Sequence, residues 1–115
     1  MEQFVKELLD EAINGLKKGT FKFIKDTYAT TGNTYLELGD FENNEPWTVI
    51  TVNVLPLEDE FICVDTNNSP TAKHILKRLK IAEDTGRTLS SGYCVYPIYK
   101  LNNDKLEKYL YKEVA

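Results

Sequence analysis

Between Thr20 and Leu55 three β-type runs are separated by turns of only four or five residues, and this spacing constrains the fold more than any other feature. Thr20 to Tyr28 carries Phe21, Phe23 and Ile24. Thr34 to Phe41 alternates, with Leu36 and Leu38 on one side and Tyr35 and Glu37 on the other. Trp47 to Leu55 sets Ile50, Val52 and Val54 against Val49, Thr51 and Asn53. Thr30-Thr31-Gly32-Asn33 and Glu42-Asn43-Asn44-Glu45-Pro46 separate them. A parallel pair needs a crossover of a dozen or more residues, so these runs are expected to pair antiparallel, one face packed and one wetter.

The flanking segments supply cover for the packed face. From Glu2 to Lys18, Phe4, Val5, Leu8, Leu9, Ala12, Ile13 and Leu16 recur at helical spacing, and Gly19 after Lys17 and Lys18 is a natural stop. Gly15 weakens the last turn. After the acidic loop Leu57 to Glu60, Phe61 to Val64 reads as a short buried strand and Asp65-Thr66-Asn67-Asn68 as a turn. Ser69 as N-cap and Pro70 at the first helical position predict a helix to about Ile81. Ala72, Ile75, Leu76 and Leu79 face inward; Lys73, His74, Lys77, Arg78 and Lys80 cover the rest. Glu83-Asp84-Thr85-Gly86 ends it. Arg87 to Ser90 is a further short strand. Tyr93 to Leu101 is an aromatic strand with Pro97 at an edge or a bulge. Asn103 or Asp104 caps a last helix to about Lys112. With 115 residues, 42% of them apolar, and neither linker nor repeat, residues 1–115 are expected to form one domain. The expected class is α+β: an antiparallel sheet of four to five strands with N-terminal, central and C-terminal helices.

The net charge of −4 conceals a lopsided layout. Up to Ser69 there are thirteen acids against five lysines; from Pro70 onward there are nine basic residues against five acids. No Lys or Arg falls between Lys25 and Lys73, a stretch that contains Glu37, Asp40, Glu42, Glu45, Glu58, Asp59 and Glu60. Charge asymmetry of this kind concerns partners and association rates rather than fold. It disfavours direct nucleic-acid binding, which needs Lys and Arg against phosphate. It suits a basic protein partner. Those seven acids are the candidate partner-binding residues, and a solvated face is the plainer alternative.

Nothing approaches ~18 consecutive apolar residues, and three acids within Met1 to Asp10 do not suit a signal peptide. The chain is expected in the cytoplasm, away from membranes. Its two cysteines, Cys63 and Cys94, each lie in an apolar-aromatic run, as small reduced hydrophobes do.

Catalytic constellations are sparse. There is no phosphate-binding glycine loop, no CxxC and no HExxH. A thiol enzyme would take Cys94 as nucleophile, His74 as base and Asp65 or Asn67 as orienter, but no spacing joins them. Cys63, Cys94, His74 and Asp65 match no zinc pattern, and Glu58, Asp59 and Glu60 no calcium loop. The basic helix with Tyr93, Tyr96 and Tyr99 is a weak nucleic-acid surface. No enzyme activity, cofactor or metal is expected.

Val64-Asp65-Thr66-Asn67-Asn68-Ser69-Pro70, then Thr85-Gly86, then Ser91-Gly92-Tyr93-Cys94-Val95-Tyr96-Pro97-Ile98-Tyr99 follow the runs Tyr28 to Leu38 and Thr48 to Asn53. In that order they resemble a family of small bacterial proteins known as a domain of unknown function, number four thousand three hundred and thirteen. They are also similar to a domain type of large polyvalent proteins in phages and conjugative elements. The resemblance spans roughly Tyr28 to Leu101. Thr71-Ala72-Lys73-His74 departs from the family pattern after Pro70. The resemblance implies a mobile genetic element and brings no catalytic residue. Small acidic proteins in that setting are often non-enzymatic antagonists of host defence. The expected function is therefore anti-CRISPR-like inhibition of a basic nucleic-acid-binding host protein, such as a CRISPR effector nuclease. An accessory interaction module with no defence target is the alternative, and the Cys94 thiol enzyme a second.

Overall fold

A computed structural model describes residues 1–113. Helix α1 (Gln3–Lys18) leads into strands β1 (Phe21–Thr27), β2 (Thr34–Asp40) and β3 (Glu45–Val49). Strand β4 (Phe61–Cys63), helix α2 (Ala72–Leu79), strands β5 (Ala82–Ser91) and β6 (Cys94–Leu101) and helix α3 (Asn103–Glu107) complete the order. The class is α+β. The expected single sheet of four to five strands is instead two antiparallel three-stranded sheets, ordered β1-β2-β3 and β4-β6-β5.

The reason lies at the end of the third run. Its ladder with β2 stops at Val49, well short of Leu55. Ile50 still donates its N–H to Leu36 O at 2.8 Å, but Val52 donates to Cys63 O at 2.9 Å and Ile50 O accepts from Asp65 N–H at 2.8 Å. The chain thus changes partner from β2 to β4 within three residues, and an antiparallel bridge between Thr51 and Val64 splices the two sheets. One apolar run serves two ladders.

Other boundaries move for local reasons. Glu83 to Gly86, expected to end the second helix, belongs to β5; Gly86, at φ 80°, sits in the register shift between Asp84 and Thr88. Pro97 lies opposite Thr88 at the end of that shift. Glu45 and Pro46, expected in a turn, open β3. Ser69 does not cap α2: its hydroxyl lies 2.7 Å from the Thr48 hydroxyl of β3, and the helix begins at Ala72 after Thr71. The helix closes on Lys80, which adopts the left-handed conformation at φ 57°. α3 is capped by Asn102, whose side chain accepts from Lys105 N–H at 3.2 Å, and ends at Glu107 rather than near Lys112. The following residues run beside β1. Phe23 N–H donates to Tyr109 O and Tyr111 N–H to Phe23 O, both at 2.8 Å, covering an edge that would otherwise be unpaired.

One core joins these layers, with Phe23, Leu36, Leu38, Ile50, Ile62, Ile75, Leu76 and Leu106 among its buried side chains. α1 contributes Leu9, Ala12, Ile13 and Leu16, the predicted stripe. Phe4, at the start of that stripe, remains 61% exposed, so the first turn lies outside the core. Gly15 continues the helix and permits close packing: a Cβ there would lie 2.6 Å from Cγ of the buried Phe21 ring.

Candidate functional site

The seven candidate acids do not share one surface. The β2–β3 hairpin carries four of them. Glu37 lies mid-strand opposite Val49 and accepts a hydrogen bond from the Tyr35 hydroxyl. Burial, followed by that bond to Glu37, raises the Tyr35 pKa. Asp40 is buried and directed back into its own turn: it accepts from Asn43 Nδ2 at 2.8 Å, Glu42 N–H at 3.0 Å and Asn43 N–H at 3.1 Å. These bonds, with that from the Asn43 side chain foremost, hold its carboxyl below the ordinary value. Glu42 and Glu45 are exposed, and Glu45 lies opposite Asp40 in the register. Glu37, Asp40 and Glu45 border a shallow depression of about 220 Å³ with Ile24, Gly39 and Phe41.

The other three lie in the loop before β4. Glu58 faces Arg87 of β5 at 3.6 Å, with both side chains more than half exposed. A pair this open adds little stability, but it gives this acid a cation of its own. Asp59 is exposed. Glu60 lines a large groove in which five lysines, Lys73, Lys77, Lys80, Lys100 and Lys105, face four acids.

That groove, of about 1020 Å³, was not legible as a site in the sequence. Its α2 side presents Lys73, His74, Lys77 and Lys80; Glu83 and Asp84 come from β5, Lys105 and Asp104 from α3. Ala82, Tyr99 and Leu101 are almost fully buried and form its apolar base. The basic helix was its one visible signal, since Lys73, Lys77 and Lys80 recur at helical spacing. Partial burial lowers the His74 pKa, and the positive charges of Lys73, the amino terminus and Lys77 lower it further. Burial raises that of Tyr99, with Asp84 adding to it. Of the three tyrosines considered beside the helix, Tyr99 alone borders the groove; Tyr93 projects fully into solvent near the β5–β6 turn.

The thiol constellation is not assembled around His74. His74 borders the groove, whereas Cys94 lies at the start of β6 beside Tyr96, whose pKa is raised through its hydrogen bond with the Cys94 thiol. Cys63 is buried and pushed up to about 11 by desolvation and then by Asp65, a poor setting for a thiolate. Asp65 is engaged by Asn68, through the backbone N–H at 3.0 Å and Nδ2 at 3.1 Å. Among the described residues no three His, Cys, Asp or Glu side chains gather as a metal site.

The model of the domain of unknown function DUF4313 matches residues 24–115. The chain belongs to the DUF4313 family. The match covers every strand except the start of β1, together with α2, α3 and the groove, and leaves α1 outside. No curated protein and no solved structure matches this DUF4313 chain. No helix among the described residues is long and apolar enough to cross a membrane.

Proposed function

We propose that this DUF4313 chain is a non-enzymatic binding protein that docks on a basic partner through the acidic end of its β2–β3 hairpin. The observation that carries this reading is the charge around Glu37, Glu42 and Glu45. They lie in a stretch without Lys or Arg, and among the described residues none of them forms an ion pair. Two of the three are exposed, so their field acts on solvent and on whatever approaches. Glu58 and Glu60 are set aside from the surface, one beside Arg87 and the other in the lysine-lined groove. Asp40 shapes the hairpin rather than contacting a partner.

The proposed partner is a nucleic-acid-binding protein of a host defence system, with a CRISPR effector nuclease first. The chain would be the product of a mobile element in the bacterial cytoplasm that inhibits by occupying a basic surface. The choice of partner and origin rests on the resemblance described above, and the mode of docking on the hairpin charges. A pull-down from cells expressing CRISPR systems, run at low and high salt, tests it. Capture is expected to weaken as salt rises, because exposed charges are screened beyond about 10 Å at 0.1 M. Glu42→Lys/Glu45→Lys is expected to abolish both capture and nuclease inhibition while leaving thermal unfolding unchanged. Inhibition that survives this double reversal sinks the mechanism. Capture without any effect on nuclease activity would instead identify an interaction module with no defence target.

A further inference from the structure

Lys73 and Lys77, one helical turn apart on α2, and Lys80 at its C-cap border the large groove. At 1.5 Å rise per residue Lys73 and Lys77 are about 6 Å apart along the axis. None of the three makes an ion pair among the described residues, and neither does Lys105 across the groove. Lysine is a flexible point charge suited to phosphate oxygens, whereas bidentate capture of a carboxylate favours arginine. The groove contains no arginine; Arg87 is occupied with Glu58 and the Phe61 ring.

The rest of the lining is of a different kind. Glu60, Glu83, Asp84 and Asp104 present carboxylates, Lys100 adds a cation from β6, and Ala82, Tyr99 and Leu101 give an apolar base; Asn103 is held between Lys25 and Glu60, and Asn102 caps α3. Asp84 uses one oxygen to accept Gly86 N–H at 2.9 Å. A uniformly anionic polymer would be repelled by these carboxylates. A ligand with phosphates at one end and hydroxyl or amino donors on an apolar ring system at the other is complementary to both sides. The groove volume of about 1020 Å³ accommodates such a molecule, at the upper end of the roughly 300–1,000 Å³ usual for small-molecule sites.

We propose that the groove between α2, the start of β5 and α3 is a nucleotide-binding site, with Lys73, Lys77 and Lys80 holding the phosphates and Glu83, Asp84 and Asp104 accepting from the sugar and base. His74 supplies a sensor within it. It is the chain's sole histidine, and burial together with the charges of Lys73, the amino terminus and Lys77 disfavours its proton. A bound phosphate chain neutralises that field.

The test is titration of the full chain with ATP, GTP, CTP and UTP, followed by NMR of the His74 ring, with inorganic triphosphate as a parallel probe. At least one nucleotide is expected to shift the His74 resonance saturably with a Kd below about 1 mM. Lys73→Ala/Lys77→Ala is expected to weaken it at least about tenfold, or 1.4 kcal/mol, with thermal unfolding unchanged. Lys73→Gln/Lys77→Gln gives the same reading with longer side chains should the alanine variant melt early. Glu42→Lys/Glu45→Lys is expected to leave the affinity unaltered, which separates this site from the hairpin surface. No saturation with any nucleotide overturns the proposal, as does equal binding by the lysine variants. Inorganic triphosphate binding as tightly as the best nucleotide overturns the assignment of the carboxylate side.

Discussion

Asp40 shows how a residue's sequence neighbourhood misstates its role. It stands in a cation-free acidic stretch, yet its carboxylate is consumed by two backbone N–H groups and one side-chain amide of the turn that follows. Those donors favour the ionised form and hold its pKa below the ordinary 3.8. The contribution to stability is therefore complete above that value and is lost as pH falls through the lowered folded value. Asp40→Asn is expected to lower the urea midpoint at pH 7, and the gap to the unmodified chain is expected to close as the pH falls below 3.8. Urea titrations at several pH values check this; a pH-independent gap would assign the loss to geometry alone. Gly15 was misleading in the opposite direction. It read as a weak point of α1, but it is the position where the helix approaches Phe21 too closely for any side chain.

At the scale of elements, helix ends were harder to place than helix faces. The inward stripe of α2, with Ala72, Ile75 and Leu76 buried, follows directly from 3.6-residue periodicity. Its start was misplaced because the Ser69 hydroxyl has a better partner in Thr48, a residue 21 positions away. Its end falls on Lys80, a non-glycine residue in the left-handed region. That conformation costs an L-residue about 1–2 kcal/mol, part of which a glycine's greater freedom in the unfolded chain would offset. Lys80→Gly is therefore expected to raise stability by about 0.5–1 kcal/mol while weakening the binding of phosphates to the groove. Thermal melts and nucleotide titration of one variant measure both effects, and their opposite signs distinguish a site residue from a merely structural one.

For the whole molecule, Thr51 is the splice point. It is 3% exposed, its Oγ1 accepts Leu36 N–H at 3.1 Å, and it shares a hydrogen bond of the same length with the Tyr28 hydroxyl. Thr51→Val preserves the shape but leaves the Leu36 amide without its acceptor, a loss of about 1–3 kcal/mol. Urea unfolding is expected to register that loss. Amide exchange at Val52 and Asp65, whose bonds tie the two sheets together, is expected to quicken more than exchange within β6. The same scale governs the charges. A linear count gives an acidic first part and a basic second part, but folding pairs Glu58 with Arg87 and brings Glu60 to the groove that Lys73, Lys77 and Lys80 border, while Glu37, Glu42 and Glu45 form no ion pair among the described residues.

Periodicity and turn chemistry, which act over a few residues, were enough to specify the α+β class, the antiparallel pairing of the first three strands, the buried face of α1 and the basic face of α2. Tertiary structure alone decided which ladder Ile50 to Val52 would join, which acids would keep a free field, and that the α2 lysines would border a groove. Those outcomes depend on which distant groups meet. Strand partners and charge partners are chosen by packing across tens of residues, and a pattern read along the chain carries no term for that choice.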